Sequence, residues 1–221
     1  GKAIYGVGGG ITWDSTWESE YREVHQKAAV LYRKQARFKL ITTGKISQKN
    51  LLFEEQHIER LRKASRYFAF PFDSENLKQK IEEECQACDA NQDYRLRISL
   101  GKSGEIEVDR QVLTALSPSF CQAKLCLQEA NLQQAFIYFK TTHRPHLSLG
   151  EQEIIYHNKS GELLETSIGN LVLKISGKLY TPPIRLGILP GIYRQLLLET
   201  GQVEERVLTL KDLARAEAIY G

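Results

Sequence analysis

The sequence predicts an α+β protein of two small domains preceded by a short helical segment, and three patterns carry that expectation. Two helical stretches, over Leu51–Phe70 and from Asp73 to about Ala90, lead into the alternating runs YRLRISL and EIEVDR, joined through Gly101 to Gly104. After a polar stretch, the runs AFIYFK, IIYHN, LETSIGNLVLKI and KLYTPP read as strands, and GIYRQLLLETG reads as a helix. A chain of 221 residues can hold two such units with cores of their own. The boundaries expected are 1–36 for the leading segment, 37–133 for the first domain with its linker, and 134–221 for the second.

In chain order, a glycine stretch at Gly8–Gly10 runs into a helix expected from Glu18 to Ala36. Glu20, Glu23 and Lys27 fall three and four residues apart and share one face of it. FKLITTGKI alternates as a strand. In the next helix, Ile58, Leu61, Ser65 and Phe68 form one stripe, which Pro71 brings to an end. Asp73 or Ser74 is placed to cap the helix that follows. LSPSFCQAKLCLQEANLQQ reads as a linker to AFIYFK, the strand expected to deliver Lys140. Ser176–Gly177 should turn a strand pair, Gly201 should stop the helix begun at Gly191, and Thr209-x-x-Asp212 has the spacing of a capping box.

Composition excludes several functions. The chain is 42% hydrophobic and 26% charged with a net charge of +3 and no block of Lys or Arg, so no nucleic-acid partner is expected. No apolar run approaches the ~20 residues that span a bilayer, and the start lacks a leader pattern. A soluble cytoplasmic protein is the expectation. Cys85-x-x-Cys88 falls within a helical pattern and has no second pair at zinc-site spacing; with Cys121 and Cys126 these are expected to be reduced thiols, with no metal bound. The chain has no methionine, opens mid-pattern with GKAIYGVGGG and stops in ARAEAIYG, as a fragment of a longer polypeptide would.

Four features bear chemistry. Lys140 follows an apolar run, where an ammonium is costly unless its charge is lost or paired; taken alone it is equally a lysine reaching for the surface. Glu165 is a lone carboxylate in a strand pattern. Gly191 opens a helix whose first amides, on Ile192 and Tyr193, lack partners and favour an anion. Arg60, in HIERL, is by itself an ordinary helix arginine.

Taken in order, FKTTHR around Lys140, ELLETSIGN around Glu165, GILPGIYR and HIERL resemble the class IV, branched-chain aminotransferase-like enzymes of pyridoxal phosphate (PLP). FKLITTG, YRLR and FKTTHRPH are most similar to the aminodeoxychorismate lyases within that group. The resemblance implies a D-amino-acid aminotransferase-like fold, here C-terminally incomplete, because the family continues past Gly221 with a segment that also contacts the cofactor. It implies that Lys140 forms the Schiff base and that Glu165 keeps the pyridine nitrogen protonated. Arg60 and the amides of Gly191, Ile192 and Tyr193 would hold the phosphate. Thr42 and Thr43 would lie on the substrate side, and Arg97 and Arg144 would hold carboxylates. No metal is implied, and a homodimer is.

GGGITWDSTWESEYREVHQKA is similar to the C-terminus of chorismate-utilising synthases, in which glutamates matching Glu20 and Glu23 contact magnesium and a lysine matching Lys27 lies beside the substrate. An inactive remnant of a fused aminodeoxychorismate synthase is therefore expected at the start. The implied reaction converts 4-amino-4-deoxychorismate to 4-aminobenzoate and pyruvate in folate biosynthesis. A class IV branched-chain or D-amino-acid aminotransferase, or a non-catalytic fused module, are the alternatives.

Overall fold

Helix α1, Trp17–Tyr32, is built from local signals. Thr16 and Ser19 exchange backbone-to-hydroxyl hydrogen bonds at its start, as a capping pair does. A computed structural model describes residues 4–32, 37–113, 122–129, 132, 134–147 and 152–221. Its contacts divide the chain into two units, Gly1–Arg37 and Phe38–Gly221. In the first, the glycine stretch folds back on α1: Lys27 Nζ donates to the Gly8 carbonyl at 3.0 Å, and Lys27 pairs with Glu23 at 2.5 Å. A Cβ on Gly9 would stand 2.8 Å from Glu20 Oε2, so a side chain there would displace the glutamate.

The second unit begins with β1 (Leu40–Ser47), β2 (Asn50–Leu51), α2 (Glu54–Phe68), α3 (Ser74–Gln86), β3 (Tyr94–Leu100) and β4 (Ile106–Val112). The strands form one antiparallel sheet in the order β2-β1-β3-β4. The sequence stripe on α2 becomes its packed face: Ile58, Leu61 and Ser65 are buried and Phe68 is partly so, in a core with Leu40, Leu77, Leu96 and Ile98. Asp73 caps α3 by accepting from the amides of Glu75 and Asn76. The helix stops at Gln86, short of the expected Ala90, because the Asp89 side chain accepts from the Asn91 amide and turns the chain toward β3.

From residue 123 the elements are β5 (Ala123–Leu127), α4 (Ala135–Tyr138), β6 (Glu153–His157), β7 (Leu163–Thr166), β8 (Val172–Ile175), β9 (Lys178–Thr181), α5 (Ile192–Glu199), β10 (Glu204–Glu205), α6 (Leu210–Ala214) and β11 (Ala218–Tyr220). They make the sheets β5-β6-β7 and β10-β9-β8-β11, over cores containing Leu163, Leu171 and Leu173 in one cluster and Tyr156, Leu164 and Ile188 in another.

Three expectations are corrected. AFIYFK is not a strand; Ala135–Tyr138 is one helical turn, with Ile137 buried and Phe136 and Phe139 packed on Phe68. A short apolar run serves either structure. Ala123–Leu127, read within the linker, is a strand paired in parallel with β6, so it lies with the second half of the fold. LETSIGNLVLKI is broken after Thr166, whose hydroxyl takes the amide of Gly169 in a tight turn. The turn at Ser176 and Gly177, the stop at Gly201 and the Thr209–Asp212 capping box form as the spacing predicts.

Candidate active site

Directly after α4, the backbone of Lys140–Thr142 joins β1: the Ile41 amide donates to the Lys140 carbonyl and the Thr142 amide to the Lys39 carbonyl, both at 2.9 Å. Lys140 is thereby fixed where the two halves of the second unit meet. Burial, then the guanidinium groups of Arg60, Arg144, Arg97 and Arg95, pull its ammonium down to about 8. A sizeable neutral fraction is therefore present near physiological pH. An amine in that state is a nucleophile and a base, not merely a cation.

Glu165, on β7, is 2% exposed. Its Oε2 accepts from the Leu189 amide at 3.1 Å and its Oε1 from Arg144 at 3.3 Å. Burial pushes the carboxyl up to about 7, against the opposing pull of Arg144, the Leu189 amide and Lys140. Asn170, five residues on, bridges back to Glu165 and donates to the Leu189 carbonyl at 2.8 Å. A Cβ on Gly191 would come 1.9 Å from Asn170 Oδ1. The glycine is thus required by the close approach of a side chain from another turn, and it ties the Glu165 loop to the start of α5.

Gly191 is the N-cap of α5, where the amides of Ile192 and Tyr193 begin a helix and have no intrahelical acceptor. Arg60, on α2, reaches across to the Pro190 carbonyl at 2.6 Å. Burial and the neighbouring Arg144 lower it only to about 10, so it stays a cation at neutral pH. A cleft of about 610 Å³ opens here, lined by Arg60, Lys140, Gly191, Ile192 and Phe53 among others. Phe53 is held at φ 59°, a left-handed conformation that costs a bulky residue about 1 kcal/mol or more. The Tyr193 ring is exposed, so only its amide belongs to the helix start. Glu165 does not line this cleft; it joins it through Lys140 and the Leu189–Gly191 segment.

The two threonines named from sequence part company. Thr43 is half-buried and in register with Arg97, while Thr42 points into the helix-covered core with its hydroxyl 2.6 Å from His57 Nδ1. Alternation along a strand sends neighbours to opposite faces, so the substrate-side expectation does not hold for the Thr42 side chain. Arg144, expected to hold a substrate carboxylate, instead pairs with Glu165.

Sequence reasoning passed over two residues. His57 lies one helical turn before Arg60, buried; burial first, then Arg60 and Lys140, hold it at about 4 and hence neutral. Arg95 sits two residues before Arg97 on β3, and that spacing, which puts both on one face, was the available signal. No ion pair to Arg95 or Arg97 is present among the described residues.

Four arginines and one carboxylate around an amine form a strongly anion-seeking site. An anion fits at the start of α5, and the partly neutral Lys140 can attack a carbonyl carbon. Among the described residues no His, Cys, Asp and Glu cluster suits a metal ion. Cys85 and Cys88 are free thiols within the first core, Cys126 is free, and Cys121 lies outside the described residues. Among the described residues no helix is long and apolar enough to cross a membrane.

Comparison with known proteins places the chain in a family. Residues 39–221 match the amino-transferase class IV family, and residues 1–33 match the chorismate binding enzyme family. A Schizosaccharomyces pombe protein named "Putative aminodeoxychorismate lyase" is 23% identical over 161 residues, which are 67% of this chain and 68% of that protein. Among solved structures, a "Putative amino-acid aminotransferase" from Mesorhizobium loti superposes with a TM-score of 0.71 at 25% identity, covering 82% of this chain and 92% of its own. A "putative 4-amino-4-deoxychorismate lyase" from Haemophilus somnus has the same fold, with a TM-score of 0.65 at 22% identity over 85% of this chain and 96% of its own. The family match over most of the chain's length leads to one assignment: this chain belongs to the amino-transferase class IV family and carries a chorismate-binding fragment ahead of it.

Proposed function

We propose that residues 39–221 form a PLP-dependent lyase that converts 4-amino-4-deoxychorismate to 4-aminobenzoate and pyruvate, as part of a bifunctional synthase–lyase polypeptide. The observation that carries the lyase reading over an aminotransferase is that a chorismate-binding segment and a class IV domain share one chain. Enzymes for consecutive steps on the same ring compound would then be joined.

The residues present fit the cofactor. Arg60 and the open amides at the start of α5 suit its phosphate, the Lys140 amine suits its aldehyde, and buried Glu165 suits its ring nitrogen. When bound, PLP supplies an electron sink for a carbon that loses a proton. The rest falls to the protein. Lys140 Nζ, neutral above about 8, takes the proton from the ring carbon that bears the substrate nitrogen. The bond between the neighbouring ring carbon and the enolpyruvyl oxygen breaks with its electron pair on oxygen, the ring becomes aromatic, and the released enolate takes up a proton to give pyruvate. Glu165 would face the cofactor's ring nitrogen, and a cation there would favour its carboxylate form. Arg97 and Arg95 hold the substrate carboxylates from the face of β3 that carries Thr43's partner.

The test is pyruvate release from 4-amino-4-deoxychorismate by the full polypeptide loaded with PLP, with no amino acceptor added. Release supports the lyase. Turnover only when a 2-oxo acid is supplied identifies an aminotransferase, and absence of a visible PLP band near ~400 nm identifies a non-catalytic module.

A further inference from the structure

The Arg144 side chain is 18% exposed and that of Glu165 only 3%, and the two meet at 3.3 Å. A substrate clamp needs a guanidinium that is open to the ligand and uncommitted. Arg97 and Arg95 make no ion pair among the described residues, whereas Arg144 is largely buried with its Nη2 on Glu165, its buried Nε being without a partner. Glu165 is held from both sides: Arg144 takes Oε1, the Leu189 amide takes Oε2, and Asn170 fixes Leu189 from behind. A carboxylate oxygen accepts more than one hydrogen bond, so each oxygen keeps capacity for a further donor. The acid is thus oriented before any ligand arrives.

We propose that Arg144 is a positioning residue for Glu165, holding its carboxylate toward the cofactor ring, and is not a substrate-binding residue. The inference rests on the reading that Glu165 faces the cofactor's ring nitrogen. The charged and titratable groups around the pair are Lys140 and Arg144 facing Glu165, and Tyr156, Arg60 and His146 facing Arg144, with His143 beside His146. Burial holds His146 at about 4, so it adds no charge at neutral pH.

The test compares wild type, Arg144→Gln and Arg144→Lys in the full chain. Carbon-13 NMR of glutamate carboxyls in cofactor-free protein follows Glu165 directly, and therefore reads the proposal whether or not the protein proves to be a lyase. Arg144→Gln should raise the Glu165 midpoint from about 7 by about one pH unit, since it removes the facing cation. Arg144→Lys, which keeps the charge, should restore most of that shift; it also stands in should the glutamine variant not fold. With substrate, Arg144→Gln should lower kcat while KM changes less than ~3-fold, whereas Arg97→Gln should raise KM by ~10-fold or more. An unmoved Glu165 midpoint, or a KM rise in Arg144→Gln equal to that in Arg97→Gln, overturns the assignment.

Discussion

Residues 4–32 and residues 38–221 reach order by different routes. In the first, every hydrogen bond is between residues close in sequence or across one loop, and Ile4, Ile11, Trp13, Trp17 and Tyr21 remain exposed. In the second, three buried clusters carry the structure, and the chemically important residues meet across long separations, through side chains for Arg60 with Pro190 and Glu165 with Leu189 and through the backbone for Lys39–Ile41 with Lys140–Thr142. Glu20, Glu23 and Lys27 are arranged by one helix face and by contacts to the loop before it, with Glu23 and Lys27 each about half exposed. Lys140 and Glu165 lie among packed elements, and both have their ionisation displaced toward neutrality. Burial, not the presence of acid and base as such, turns charged residues into a chemical site.

The largest expected effect tests the buried site at its centre. Lys140→Ala should reduce turnover by ~10³-fold or more, since it removes both the point of attachment and the base. Borohydride reduction of the PLP-loaded wild type followed by peptide mapping should place the label on Lys140. A label on Lys124 or Lys174 would move the site elsewhere.

Next comes the joint between the Glu165 loop and α5. Gly191→Ala would push a methyl group into Asn170 Oδ1 and disturb the Asn170–Leu189 hydrogen bond. A loss of stability of ~1–3 kcal/mol is expected from such overpacking, together with weaker phosphate binding. Denaturant midpoints and PLP titration measure the two separately. Gly9→Ala, which meets only the ends of flexible glutamates, should cost far less.

The pH dependence of cofactor-free stability sharpens the same contrast. Glu165 has a carboxyl near 7 when folded against an ordinary 4.5, so the folded state binds the extra proton between those values. Its contribution therefore falls as pH rises from 4.5 through 7, and Glu165→Gln should flatten that part of the profile. Lys140 is near 8 when folded against an ordinary 10.5, so the unfolded state binds more protons in between. That contribution rises with pH across the 8–10.5 window, and Lys140→Gln should remove the rise. Urea denaturation at stepped pH checks both slopes, and two flat wild-type windows would contradict the burial argument.

The smallest effect belongs to α1. Lys27→Gln breaks a pair whose side chains are 45% and 49% exposed, and should change stability by less than ~0.5 kcal/mol. A larger loss, measured by thermal melting of the full chain, would show that the leading segment is not organised by local contacts alone.

What could be read from the sequence follows the range of the interactions concerned. The α2 stripe, the Asp73 cap, the positive-φ turn at Ser176–Gly177, the Gly201 stop and the Thr209–Asp212 capping box each depend on residues within a few positions of one another. Hydrogen bonding and backbone sterics settle such features before any tertiary contact forms. The motif residues Lys140, Glu165, Gly191 and Arg60 were also legible, as resemblance of wording and order, without any statement of what each would touch.

Only the tertiary structure decided the rest. AFIYFK became a helical turn because its aromatic side chains pack on Phe68, and Ala123–Leu127 became a strand because β6 offered an edge to pair with. Thr42 was withdrawn into the core by His57, and Arg144 was committed to Glu165. Arg95 and Arg97 make no ion pair among the described residues, although the register sets Arg97 opposite Asp109, whose carboxylate takes Gln111 instead. Each outcome depends on which distant groups share a desolvated space, because an unpaired polar group is costly to bury and takes the partner that packing brings within reach.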